Sequence, residues 1–336
     1  MPRPTPEQID EAFDLGGGDF QTWNQGGAYS HDVWSLRTAR GDYVVKVFDT
    51  SVDHARDETF RTRMAEAIGI ELAAIDAGVP APRPVRSTTG EVLVDVDTPD
   101  GPALVRVHEN ASGWPADGYR HAPFNRRVGR TIAKIHALPI ACPHDESTGL
   151  WQTHDDAYVA ELADRAKSGG HAWAADLEAL RGPWQYVRDL VGARKTRTWP
   201  LISTHRDLGP KNFLRGPGGG PWILDWDVAG PWTAIEELAG AAVEWAGVKR
   251  DEPARPATDA LLDGYVKGGG TIDVTGPEVF ASWLVKHANW TEMHIRHALD
   301  PDAPRRDRSR EAVPWLLDEF ARYTAGVEEW TRWLSE

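Results

Sequence analysis

The chain has 336 residues, 41% of them apolar and 26% charged, an ordinary globular composition that argues against disorder and can bury a core without staples. A single cysteine, Cys142, excludes a disulfide framework and a cysteine-rich metal site, and a formal net charge of −14 disfavours nucleic acid as a partner, because that requires a basic face. The opening MPRPTPEQIDEAFDL lacks the apolar core of a signal peptide, and no run reaches the ~18–20 apolar residues of a membrane helix, so the expectation is a soluble, cytoplasmic chain with no membrane partner.

Residues 19–48 predict strands: WNQGGAYSHDVWSLRT carries a glycine-bearing turn, and DYVVKVFD is β-branched and apolar around one lysine. Residues 54–77 predict a helix, with Phe60, Met64, Ala67, Ile68, Leu72 and Ile75 at helical spacing. GVPAPRPV at 78–85 stops it, since glycine and proline break helices. EVLVDV and ALVRVH predict two further strands, and ASGWPADG after Asn110 a loop. From Tyr119 the pattern turns helical. Val128, Ile132, Ile135 and Leu138 mark one apolar face, and further helices are expected near 154–167, 172–192, 233–247, 256–267, 277–299 and 309–335. One β interruption remains, NFLR and WILDWD around a GPGGGP tip, which predicts a hairpin. The fold class is therefore α+β in two lobes: a small β-rich lobe over 1–108 and a larger helical lobe over 109–336 that carries the hairpin, with a linker near 106–113.

The residues that carry chemistry gather in HRDLGPKNFL, 205–214, and ILDWD, 223–227. Asp207 and Asn212 lie on one short loop. Asp225 ends the hairpin's second strand, which folds back beside that loop, and His205 is placed to hold the loop's shape by hydrogen bonding. Phosphoryl transfer rests on positioning and charge neutralisation. One carboxylate and one amide oxygen suit hard Mg2+, and a second carboxylate can take or orient the proton of an acceptor hydroxyl.

In order and spacing these residues resemble the aminoglycoside phosphotransferase and choline kinase-like family, which shares a distant, two-lobed protein kinase-like fold. Its pattern is His-Gly-Asp-Leu-x-Pro-x-Asn, then a hydrophobic pair before Asp-Trp or Asp-Phe; here it spans 205–212 and 223–226, within a resemblance over roughly 19–250. The resemblance implies that Asp207 is the catalytic aspartate, with His205 and Arg206 beside it, that Asn212 and Asp225 hold Mg2+, and that ATP or GTP is the phosphoryl donor. Arg206 stands where the family commonly has glycine. Lys211 stands where a small residue is usual, and either adds charge near the transferred phosphate or points to solvent.

The first lobe is expected to hold the nucleotide. Lys46 in VVKVF needs an anionic partner, because an ammonium in an apolar strand is costly. The resemblance implies that it meets the α- and β-phosphates and pairs with a glutamate of the following helix: Glu66 first, with Glu71 and Glu58 as alternatives. The turn GGAYSH resembles the family's nucleotide-positioning loop. In it Gly26 and Gly27 allow close backbone approach, Ser30 follows, and His31 stands where asparagine is frequent. The base is expected within Val105–Glu109, at Val105 and Val107. IAKIHAL at 132–138 and the Glu237-Leu238-Ala239 helix start match family landmarks, with Glu237 bracing the catalytic loop and His136 packing in the core.

No Gly-x-Gly-x-x-Gly, Asp-Phe-Gly or Ala-Pro-Glu occurs, which argues against a protein kinase. No lysine follows a glycine, so there is no P-loop, and neither His-Glu-x-x-His nor Gly-x-Ser-x-Gly appears. A small-molecule acceptor is expected, foremost an aminoglycoside or other hydroxylated antibiotic. A metabolic alcohol such as choline, homoserine or a sugar, or a silent nucleotide-binding scaffold, are the alternatives. Asp227, Trp232, Trp290 and His294 are the candidate acceptor contacts; Trp290 and His294, four residues apart, share a helix face.

Overall fold

The computed structural model describes residues 2–21, 31–48, 58–117, 121–140, 153–250, 253–303 and 305–336. The chain mixes helix and sheet, with 54% of the described residues helical, and divides into two compact units: residues 1–116 with 211–230, and residues 117–210 with 231–336.

The first unit opens with α1 (Pro6–Phe13), capped by a reciprocal pair in which the Thr5 hydroxyl accepts from Gln8 N and the Gln8 amide oxygen accepts from Thr5 N. Then come β1 (Gly18–Gln21), β2 (His31–Thr38), β3 (Asp42–Phe48), α2 (Glu58–Asp76), β4 (Val94–Val96), β5 (Ala103–Glu109) and β6 (Trp114–Pro115). The first five strands make one antiparallel sheet in the order β1-β2-β3-β5-β4. Side chains alternate between its faces. One face carries Val45, Val47, Val105 and Val107 and packs on Ile9, Phe13 and Leu36. The other carries Phe48 and Leu104, which pack with Met64 of α2. Lys46 and Arg106, directly opposite each other on β3 and β5, belong to this second face. The lobe boundary expected between 108 and 109 falls inside β5, because the strand runs on to pair Glu109 with Tyr43.

The second unit continues with α3 (Ala122–His136), α4 (Asp156–Ser168), α5 (Ala174–Ala179), α6 (Arg181–Arg194) and β7 (Leu201–Thr204). The helix expected over 172–192 is thus two, divided at Leu180. The hairpin follows as β8 (Phe213–Arg215) and β9 (Pro221–Ile223), paired from Phe213↔Ile223 to Arg215↔Pro221. It packs with the first unit rather than with the helices: β6 is the other neighbour of β8, and Ile223 N donates to Pro80 O at 2.8 Å. β10 (Gly230–Thr233) lies beside β7 and leads into α7 (Ala234–Ala246), α8 (Arg255–Lys267), α9 (Ala281–Leu299) and α10 (Arg306–Ser335). α7 is buried along its whole length. α3 and α8 meet backbone to backbone, because a Cβ at Gly129 or Gly264 would collide with the main chain of the other helix. Among the described residues no helix is long and apolar enough to cross a membrane.

Candidate active site

In the first unit a buried ion cluster forms around Lys46. Its Nζ donates to Asp225 Oδ1 at 2.6 Å and to Asp227. Burial pushes the lysine pKa down, but the carboxylates of Asp225 and Asp227 push it up further, so Lys46 keeps its proton. Arg106, fully buried on β5, donates Nη1 to the other oxygen of Asp227 at 2.6 Å and Nη2 to Glu71 of α2. His108 Nε2 lies 3.0 Å from the second Glu71 oxygen. Burial raises Asp227 and Glu71, yet Lys46 with Arg106 holds the first, and His108 with Arg106 the second, below the usual carboxylate range.

Replacing such buried pairs with apolar residues is often neutral or stabilising, whereas removing one partner costs about 3–5 kcal/mol. Stability therefore gives no reason to keep the cluster; concentrated, shifted charges mark a functional site. Glu66, the first-choice partner of Lys46, is not its partner here. Five helical residues put Glu66 and Glu71 roughly 140° apart on α2, and it is Glu71 that faces the sheet, on Arg106 rather than Lys46. Asp227, read as an acceptor contact, has both oxygens engaged by the two cations.

Leu224 N donates to Asn212 O at 2.8 Å, extending the β8–β9 ladder by a step and setting Asn212 next to the chain end that carries Asp225. Asp225 adopts a left-handed φ of 63°, which aspartate tolerates, and its carboxylate is 36% exposed. An amide oxygen and a carboxylate oxygen are the hard donors Mg2+ takes. Lys46, Arg106 and the three carboxylates leave one net negative charge, and Asp225 already holds a cation, so the residues fit a divalent ion. Among the described residues no group of three or more His, Cys, Asp or Glu forms a cage of its own; such an ion would be shared with phosphate oxygens and water.

The loop 205–210 belongs to the second unit and is held by α7. His205 is fully buried, and Asp207 N donates to its Nδ1 at 3.3 Å. Arg206 has φ 66°, left-handed backbone that costs a residue with a Cβ about 1–2 kcal/mol. Two anchors hold it there: its N–H donates to Glu237 Oε1, and its guanidinium Nε to Pro231 O at 3.2 Å. The other Glu237 oxygen lies 2.7 Å from His136 Nε2, and His136 Nδ1 2.9 Å from the Tyr265 hydroxyl. Trp245 Nε1 donates to Leu208 O at 3.0 Å, and Glu244 fits so closely under Gly209 that a Cβ there would strike its carboxylate. Glu237, Glu244 and Trp245 share one face of α7. The Asp207 carboxylate is 14% exposed, and Lys286 of α9 donates to its Oδ1 at 3.3 Å.

The sequence profile of the phosphotransferase enzyme family matches residues 24–277, across both motifs. The chain belongs to the phosphotransferase enzyme family. It is a small-molecule phosphotransferase acting on hydroxyl groups. No curated protein matches it by sequence. Solved structures share its kinase-like fold at low identity. A spectinomycin phosphotransferase in complex with ADP and spectinomycin has a TM-score of 0.62 at 12% identity, covering 95% of this chain and 97% of that one. An amicoumacin kinase in complex with AMP-PNP and Ca2+ has a TM-score of 0.60 at 14% identity, covering 96% and 92%. The choline kinase of Streptococcus pneumoniae has a TM-score of 0.57 at 16% identity, covering 94% and 96%.

In this phosphotransferase Gly26, Gly27 and Ser30 lie outside the described residues. Val105 and Val107 are fully buried. Val105 pairs with Val47 on one edge and Val94 on the other, and Val107 O accepts from Val85 N at 2.8 Å, so the sheet engages this backbone. Trp232 is a core residue whose Nε1 donates to Ser282 Oγ at 3.1 Å. Trp290 is 38% exposed and meets the His294 ring edge-on at 4.7 Å; His294 is itself buried, which pushes its pKa down to about 4. Lys211 is exposed. Arg106, Glu244 and Lys286 were not anticipated. Arg106 alone carried a local signal, a basic residue inside the apolar ALVRVH.

Proposed function

We propose that this phosphotransferase moves the γ-phosphoryl group of ATP or GTP onto a hydroxyl of an antibiotic and thereby inactivates the drug, with Mg2+ as its metal. Lys46 positions the phosphates, with Gly26, Gly27 and Ser30 on the nucleotide side; Val105 and Val107 lie in the core on the sheet face opposite Lys46. Asn212 and Asp225 hold the metal, which when bound neutralises phosphate charge. Asp207 takes the acceptor's proton. The acceptor oxygen bonds to the γ-phosphorus, the bond to the β–γ bridging oxygen breaks, and the nucleoside diphosphate leaves. Trp290 and His294 serve the acceptor.

The observation that carries this reading is the 2.6 Å contact between Lys46 and Asp225, 179 residues apart in the chain: the lysine assigned to phosphate and the carboxylate assigned to metal belong to one cluster. The antibiotic acceptor is supported by the likeness to a spectinomycin phosphotransferase and an amicoumacin kinase. The likeness to choline and ethanolamine kinases favours a second reading, a metabolic kinase for a small amino alcohol. A sensitive host expressing the chain, challenged with aminoglycosides, spectinomycin and amicoumacin, separates the two, together with nucleoside diphosphate release by purified enzyme on those drugs, choline and ethanolamine. Protection that disappears with Asp207→Ala is the expected outcome. No protection with turnover of choline or ethanolamine establishes the second reading, and nucleotide binding without turnover on any acceptor the scaffold.

A further inference from the structure

Lys286 has no place in the motifs, yet its ammonium reaches Asp207. Three carboxylate contacts decide what it serves. Its Nζ lies 3.3 Å from Asp207 Oδ1 and 3.8 Å from Glu244 Oε1, while Lys249 lies 2.9 Å from Glu244 Oε2. Glu244 also accepts from Trp283 Nε1 at 2.9 Å and has His287 Nε2 at 3.7 Å. The bland alternative is that Lys286 merely neutralises a buried glutamate. Glu244, however, has a closer cation of its own, and Asp207 is the nearer of the two anions to Lys286.

The helices explain how the ammonium is aimed. Trp283, Lys286 and His287 are three and four residues apart, so one face of α9 meets Glu244 at successive positions. Glu244 in turn lies against Gly209, two residues after Asp207. Burial opposes its charge, but Lys249, Lys286 and His287 outweigh burial and hold it ionised. Lys286 is thus fixed by a rigid anion on one side and placed on the reactive loop on the other. Its side chain is 32% exposed, and the less-buried positions of α9 run on from it through Asn289, Trp290 and Met293 on the same face.

We propose that Lys286 is a positioning residue for phosphoryl transfer: by holding Asp207 Oδ1 it sets the plane of the carboxylate that receives the acceptor's hydroxyl proton. The inference rests on Asp207 having that role. A carboxylate turned about its last torsion loses its alignment with the acceptor hydroxyl, and small misplacements cost large factors in rate.

The test is a double-mutant cycle in the full-length enzyme, with single-turnover transfer rates and KM for nucleotide and acceptor, on Asp207→Asn, Lys286→Met, Lys286→Arg and the Asp207→Asn/Lys286→Met double variant. Lys286→Met is expected to lower kcat about 10–100-fold with both KM values and the melting temperature nearly unchanged, up to the roughly 100-fold that a misplaced catalytic group can cost. Lys286→Arg should recover most of the loss. On the Asp207→Asn background the methionine should add nothing, since its effect runs through the carboxylate. A wild-type kcat in Lys286→Met overturns the inference, as does an equal further loss in the double variant. Full activity in Asp207→Asn alone overturns the underlying reading, and is distinguishable because the Asp207 variant itself reports it. If Lys286→Met melts early, Lys286→Arg decides: a folded arginine variant as slow as the asparagine one counts against positioning.

Discussion

Arg206 shows how one residue can be paid for by its neighbours. Its left-handed φ of 66° suits glycine, the residue common at this position in the resembling pattern, and the Glu237 and Pro231 contacts offset the strain. Arg206→Gly should therefore fold more stably than Arg206→Ala by about 1 kcal/mol, because both lose the guanidinium anchor and only alanine keeps the strain. Chemical denaturation of the pair checks this; an alanine variant at least as stable as the glycine one would refute it. Arg106→Met leaves Glu71 and Asp227 with a buried charge uncompensated and should cost about 3–5 kcal/mol. The same truncation at the exposed Arg61, paired with Asp95, should cost less than about 1 kcal/mol. Lys46 and Arg106 illustrate what a residue discloses from sequence. Both sit in apolar strands, which flags a partner, but nothing local says which carboxylate it is. Asp225 and Asp227 lie far along the chain, and the choice between Glu66 and Glu71 depends on which way α2 is turned.

At the scale of elements, α7 and α9 do the holding. Gly209→Ala drives a methyl group into the Glu244 carboxylate, whose position is fixed by Lys249 and Trp283. Overpacking of this kind costs about 1–3 kcal/mol, so both melting temperature and kcat should fall; an unaltered kcat would mean that the loop does not depend on this fit. His287 lies between α7 and α10, its ring against Trp283 and Tyr323 and faced by Glu244, Lys249 and Lys286. Burial pushes its pKa down to about 4, from an ordinary value near 6.5. Between those values the unfolded chain binds the proton and the folded one does not. Stability is therefore full above about pH 6.5 and declines as pH falls toward 4, by up to on the order of 3 kcal/mol. Denaturation across that range should show the slope, and His287→Gln should remove its share and leave that of His294, whose pKa burial also pushes down to about 4. Long periodic helices such as α3 and α9 were legible because their apolar faces repeat. α1 also carried a readable signal, Thr5 and Gln8 at capping-box spacing, in a segment judged only for its polarity. β6 was not readable: Trp114 and Pro115 are exposed loop residues by composition, and become a strand only because β8 lies beside them.

For the whole molecule, the α+β class and the two-part division were open to reading because glycine-bearing strands give way to helical periodicity after Asn110. The hairpin's membership was not, because the chain leaves the first unit at Ala116 and returns to it at Lys211. This return brings the two expected metal ligands, Asn212 and Asp225, into the unit that already holds Lys46, while Asp207 stays with the helices. The two halves of the chemistry should accordingly separate. Asn212→Ala and Asp225→Ala should raise the metal concentration needed for turnover or abolish it, and chelation should stop transfer; metal-independent transfer in either variant would contradict their assignment. The most direct measurement is turnover and nucleotide affinity in Asp207→Ala. A fall in kcat of roughly a thousandfold or more, with nucleotide bound within a few-fold of the parent, is expected; a kcat near that of the parent would contradict the account.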